Sequence, residues 1–175
     1  KSSIKHVLSQ YRRSLEAEFG DIIKKEARDV LVTTPVEEGK GEAAAEDLKK
    51  VAEDLPIVRI VDTLLRHAIV ERASDIHIEP QEKEVVVRYR IDGILREAMM
   101  LPKQVAPGII ARIKVLSNLK LDEHRLPQDG RFKIETPEEK ISFRVSILPV
   151  SEGEKATLRL LVENSKSFTL ETLGF

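Results

Sequence analysis

The sequence contains no cysteine and no tryptophan in 175 residues, and its aromatic share is only 4%. Without cysteine there is neither a disulfide nor a thiolate metal site, which suits a reducing compartment. So few aromatic rings argue against a base-stacking platform for nucleic acid. Neither sign of charge dominates. Lys and Arg number 29, Asp and Glu 30, and the formal net charge is −1. No global attraction to nucleic acid or acidic lipid follows, although a local basic face stays possible. No apolar run approaches the roughly 18 residues that span a bilayer. The opening Lys1-Ser-Ser-Ile4 lacks both Met and the apolar core of a signal peptide. Both ends read as internal cuts. Gly-x-x-x-x-Gly-Lys-Ser/Thr occurs nowhere, so the phosphate cradle of a nucleotide motor is missing. A Ser-His-Asp elbow and a glycine-rich dinucleotide loop are missing too.

What is present is a core-forming pattern under a heavily ionic surface, with 41% apolar and 34% charged residues. Residues 1–28 carry a helical stripe of Ile4, Val7, Leu8, Tyr11, Leu15, Ile22 and Ile23. They read as the helical end of a preceding domain. Residues 29–53 read as a flexible linker, with a short helix possible from Ala43 to Glu53. Thr33–Gly41 is polar and rich in breakers, with too few apolar groups to offset its ordering entropy.

A compact domain is expected over 54–165. Pro56 suits a first helical turn, and Ile57, Ile60, Val61, Leu64, Leu65, Ala68 and Ile69 mark one buried face. From Asp75 the period becomes two. Ile76 and Ile78 oppose Asp75, His77 and Glu79, then Val85, Val87, Tyr89 and Ile91 oppose Val86, Arg88, Arg90 and Asp92. Asp92-Gly93 signals a type I′ hairpin, with Ile94–Ala98 as the return strand. Pro102 and Pro107 introduce a second helix, striped by Ile109, Ile110, Ile113, Leu116 and Leu119. After a polar turn over Leu121–Gly130, strands follow at Phe132/Ile134, Ile141–Ile147 and Ala156–Val162. Helix, three strands, helix, three strands predicts an α+β fold: an antiparallel sheet of about six strands with helices on one face.

Alternation then places Arg88, Arg90, Arg131, Lys133, Arg144, Thr157 and Arg159 on the other face. Arginine offers a planar, permanently charged fork that matches phosphate oxygens. A solvated sheet face is also ordinarily charged. Glu84, Glu97 and Glu135 could pair these arginines across strands, and the pattern alone favours that simpler reading.

Five motifs occur in order: Ala73-Ser-Asp-Ile-His-Ile-Glu-Pro80, Arg90-Ile-Asp-Gly93, Arg125-Leu-Pro-Gln-Asp-Gly-Arg131, Phe143-Arg-Val-Ser-Ile-Leu-Pro149 and Gly153-Glu-Lys-Ala-Thr-Leu-Arg-Leu-Leu161. Together they resemble the type II secretion and type IV pilus-assembly ATPase family over about residues 55–175. The resemblance implies a PAS-like domain preceding a RecA-like motor, with 166–175 as the linker into that motor. It implies a parent that is a cytoplasmic, bacterial homohexamer peripheral to the inner membrane, engaging platform proteins through its N-terminal region. ATP and Mg2+ would belong to that parent, and neither is expected in this fragment alone.

By motif, Arg144 and Arg159 would be the catalytic arginines reaching the ATP phosphates, with Arg131 and Arg125 as further phosphate-binding candidates. Arg112, on a helix, would be interfacial. The rival reading is an interaction module of the same fold whose arginines pair carboxylates between subunits. A retraction ATPase or a type IV secretion ATPase would carry an equivalent domain.

Asp75, His77 and Glu79 share a strand face. Side chains spaced two apart on a strand sit roughly 7 Å from one another, too far to share one ion, so no metal site is expected. A local hydrogen-bond network at the domain's edge is the better expectation. His6, His67 and His124 show no ligand spacing.

Overall fold

The computed structural model describes residues 42–135 and 140–163, with side chains from 46 to 135 and from 140 to 161. The helix expected over 1–28, the breaker-rich stretch 33–41 and the closing segment 166–175 lie outside the described residues. The elements run α1 (Glu42–Glu53), α2 (Leu55–Val70), β1 (Asp75–Pro80), β2 (Glu84–Ile91), β3 (Ile94–Pro102), a 3-10 turn (Lys103–Val105), α3 (Ala106–Leu116), β4 (Gln128–Glu135), β5 (Lys140–Val150) and β6 (Gly153–Glu163).

The strands form one sheet in the order β3-β2-β1-β6-β5-β4. All described pairings are antiparallel. It is an α+β fold built from two meanders, β1-β2-β3 and β4-β5-β6. They join where the first strand meets the last. The connection through α3 carries the chain from one sheet edge to the other.

Each helix forms for a local reason. Pro56 occupies the first turn of α2, where no backbone N–H is needed. Its end is set by Arg72 at φ 53, with Ala73 N–H donating to the Ala68 carbonyl at 2.9 Å. The chain then enters β1 within three residues. The apolar stripe of α2 is buried at Ile57, Ile60, Val61, Leu64, Leu65 and Ala68. It meets Ile76, Ile78, Val85, Val87 and Tyr89 from the sheet. Each such side chain, fully buried, contributes about 1.5–3 kcal/mol. Tyr89 donates its hydroxyl to the Leu64 carbonyl at 2.9 Å, which satisfies the one polar atom it carries inward. Burial pushes that hydroxyl's pKa up.

In the second half, α3 buries Ile109, Ile110 and Ile113 against Phe143, Val145, Ile147 and Leu158. Phe132 and Phe143 stack across β4 and β5 with ring centroids 4.8 Å apart.

The helix expected between Ala43 and Glu53 is present as α1, and Ala52 is fully buried. It packs on α3 at Gly108. A Cβ there would lie 2.8 Å from Ile57 Cδ1 and 3.2 Å from Val51 Cγ1. Glycine therefore lets three helices meet at one point.

The hairpin at Asp92-Gly93 has φ 51 and 78, as a type I′ turn requires. Its return strand runs beyond Ala98 to Pro102, with a register shift opposite Val87/Arg88. Pro102 thus ends a strand, where its missing N–H costs no ladder bond, and does not open the helix.

Candidate functional site

The face without helices carries the charge. Register places Leu95, Arg90, Asp75, Arg159, Arg144 and Arg131 directly opposite one another from β3 to β4. Neighbouring strands lie ~4.8 Å apart, so Arg159, Arg144 and Arg131 span roughly 10 Å. Three like charges on adjacent strands are unfavourable in themselves.

A carboxylate compensates one end only. Asp75 accepts from Arg159 Nε at 2.9 Å, lies 3.3 Å from Arg90 Nε, and accepts from Ser74 Oγ at 2.8 Å. Arg131 and Arg144 are exposed, and neither makes an ion pair with another described residue. Burial alone would raise the Asp75 pKa. The hydrogen bonds from Arg159 and Ser74, with the charges of Arg159 and Arg90, outweigh it and hold the carboxyl below its ordinary range.

The backbone explains why Asp75 sits so firmly. Ser74 N–H donates to the Arg90 carbonyl at 2.8 Å, and Leu160 N–H donates to the Ser74 carbonyl at 2.9 Å. The residue before Asp75 is therefore pinned to strands on both sides.

The expected network around Asp75, His77 and Glu79 exists. β1 is a central strand of the sheet, because β6 returns to pair with it. Glu79 binds Arg88 Nη1 and Lys155 Nζ, the latter at 2.6 Å. Burial would raise Glu79, yet Lys155 and Arg88 hold it low. His77 is lowered, first by burial and then by the Lys155 charge. Glu97 faces Arg88 across β2 and β3, but Glu79 takes that arginine. Glu135 pairs with Lys140 at 3.0 Å and with none of the row.

The row unites three of the four arginines singled out in the sequence: Arg131, Arg144 and Arg159. It does not include Arg125. That residue lies in the loop ahead of β4, where Glu123 Oε1 accepts from the Arg125 N–H at 2.6 Å and the Leu126 N–H at 3.0 Å. These two bonds hold the Glu123 carboxyl below its ordinary range. Gln128 ties the same loop down through Lys120 N–H and the Lys120 and Glu123 carbonyls. Arg112 is half-buried on α3, away from the row.

A second ionic centre escaped the sequence reading. Lys114 on α3 is 1% exposed and contacts both oxygens of Glu154, at 2.7 and 2.9 Å. It also donates to the Glu123 carbonyl at 2.8 Å. His124 Nδ1 meets the same Glu154 at 2.8 Å. The signal was available, since Lys114 follows Ile110 by four residues on the apolar stripe and must point inward.

With Asp75 and Glu79 engaged by cations, the exposed guanidinium donors of the row suit an anion. No cluster of three or more His, Asp or Glu able to hold a metal ion occurs among the described residues.

Comparison with known proteins decides the family. The model of the type II/IV secretion system protein family matches residues 50–175. This chain belongs to that family. It is 39% identical over 174 residues to the type IV pilus assembly ATPase PilB of Myxococcus xanthus, covering 99% of this chain and 30% of the relative. It is 38% identical over 168 residues to the type II secretion system protein E of Xanthomonas campestris, covering 92% and 30%. Against protein E of Klebsiella pneumoniae, identity is 44% over 129 residues, covering 74% and 26%. The chain thus spans less than a third of these relatives. Within this secretion family member, no described helix is long and apolar enough to cross a membrane.

Proposed function

We propose that this chain is the domain preceding the motor of an ATPase that powers type II secretion or type IV pilus assembly. Its part is to supply Arg144 and Arg159, backed by Arg131, to the phosphates of ATP held by a motor domain of the same or a neighbouring subunit. The observation that carries this reading is the unbroken run of three arginines in direct register, compensated by a carboxylate at one end only. A polyphosphate is the ligand that would relieve that repulsion.

Guanidinium groups act on phosphoryl transfer by neutralising charge that develops on the transferred group, and they bind its oxygens two at a time. The sheet makes them effective. It fixes their Cα positions through paired backbone, so only side-chain ordering remains when the ligand arrives. In this proposal Mg2+ and the phosphate loop are assigned to the motor domain. Because the arginines stand on a separate domain, closing that domain on the nucleotide couples hydrolysis to movement.

The parent is proposed to be a homohexamer on the cytoplasmic side of the inner membrane. Its head-to-tail contacts would bring this face against the next subunit.

A second reading has its own observation. Arg159 is already paired with Asp75, so the face could serve only to hold subunits together.

The test is ATP turnover of the full-length protein carrying Arg144→Ala or Arg159→Ala, with oligomeric mass measured on the same samples. Intact oligomers with turnover reduced about 10³-fold, the scale of an arginine finger, support the phosphate reading. Unchanged turnover, or loss of the oligomer before loss of turnover, favours the scaffold.

A further inference from the structure

We propose that Asp75 is a positioning residue that holds Arg159 by its inner nitrogen so that the outer fork faces a phosphate. This rests on the reading of Arg159 as a phosphate ligand and adds to it the group that aims the fork. The contact runs from Arg159 Nε to Asp75 Oδ1 at 2.9 Å. A guanidinium has five N–H donors, and a bond at Nε leaves the four on the two terminal nitrogens available.

Exposure shows the same division. The Asp75 side chain is 8% accessible, whereas that of Arg159 is 65% accessible. The carboxylate is therefore a buried anchor with a cation extending from it into solvent.

Arg90 reaches the other Asp75 oxygen, also through Nε, but turns its Nη1 back onto the Gly93 carbonyl at 3.1 Å. Arg90 thus braces Asp75 from β2, and Arg159 points outward. Ser74 Oγ supplies a further donor to Oδ2. With Ser74 pinned by backbone to β2 and β6, the carboxylate has little freedom to follow Arg159 if the latter moves. Arg144, one strand away, has no such anchor among the described residues. The two arginines should therefore differ: Arg159 arrives oriented, and Arg144 orders on its ligand.

The experiment is a double-mutant cycle on kcat/KM for ATP in the full-length protein. Arg159→Ala alone is expected to lower it about 10³-fold. Asp75→Ala alone should lower it roughly 10- to 100-fold, by analogy with removing the partner that orients a metal-binding side chain. In the Arg159→Ala background, Asp75→Ala should add no more than about a twofold loss, because its effect passes through Arg159. In the Arg144→Ala background its full effect should remain.

An equal loss from Asp75→Ala with and without Arg159 would overturn the proposal and leave Asp75 a purely structural residue. Unchanged turnover in Arg159→Ala alone would remove the phosphate reading itself, and this inference with it. Asp75→Asn, which keeps an acceptor for Nε at the same position, covers the case in which alanine unfolds the domain. It should recover most of the activity that Asp75→Ala loses, with kcat changing more than KM. Failure of Asn to recover any activity while the fold is intact would also count against the proposal.

Discussion

Two carboxylates in this domain are almost equally buried and each meets two basic side chains, yet they do opposite things. Glu154 is 9% accessible and faces Lys114, which is 1% accessible. The ammonium contacts both Glu154 oxygens and the Glu123 carbonyl, so the charge is sealed within the protein. Asp75 faces two arginines, of which Arg90 folds its Nη1 onto the Gly93 carbonyl and Arg159 keeps its outer nitrogens in solvent. The difference lies in the cation. An ammonium is a point charge that one cage can satisfy, whereas a guanidinium has an inner and an outer edge and can be anchored by one while presenting the other. The Lys114–Glu154 centre therefore ties α3 and its loop to β6, and the Asp75 centre displays charge.

The strongest way to break this contrast is Glu154→Ala. It strands a buried ammonium, and the expected cost is about 3–5 kcal/mol, read from the midpoint of urea unfolding. Asp75→Ala should cost less, about 1–2 kcal/mol, since Arg159 can turn into water. Equal costs would mean that the two centres are alike and that Asp75 only stabilises.

Acidification gives a smaller and directional test. Asp75 and Glu79 are held below their ordinary values of 3.8 and 4.5. Their contribution is thus present above those values and is lost as pH falls through the lowered ones. His77 is also lowered, from 6.5, so proton uptake by the unfolded chain starts to erode stability below that pH. The thermal midpoint should therefore fall in two stages, the first below pH 6.5 and the second below 4.5. His77→Gln should remove the first stage, and Asp75→Asn should shrink the second. A midpoint that stays level from pH 7 to 4 would contradict the His77 assignment.

The smallest effect is expected at Arg144. Arg144→Ala should change stability by no more than about 0.5 kcal/mol, and in the stabilising direction if repulsion along the row dominates. A loss of 2 kcal/mol or more in the urea midpoint would show that Arg144 is part of the fold's own ion-pair network.

Much of this was legible in the sequence because strands and helices impose different periods on apolar residues. The stripe from Ile57 to Ala68 and the alternation from Asp75 onward each had one consistent reading, and Asp92-Gly93 named its own turn. Alternation also placed Arg131, Arg144 and Arg159 on one face. It could not say that they stand shoulder to shoulder, since periodicity carries no register between strands far apart in sequence. Asp75 and Arg159 are separated by 84 positions and meet only because β6 returns beside β1. The same limit hid the centrality of β1 in the sheet. Glu84, Glu97 and Glu135 looked like cross-strand partners for the arginines, but the contacts went to Asp75 and Glu79 on the neighbouring central strand.

The sequence by itself determined the α+β class, the inward faces of its helices and strands, the hairpin at Asp92-Gly93 and the existence of an arginine-rich face. These follow from local geometry, in which side-chain direction repeats along one element. Only the tertiary structure decided which arginine received a carboxylate and which did not. It also decided that Lys114 would be buried and matched by Glu154, and that α1 would pack at Gly108. Those outcomes depend on the alignment of distant strands and the meeting of separate helices. They are set by the packing of the whole core and by no single stretch of chain.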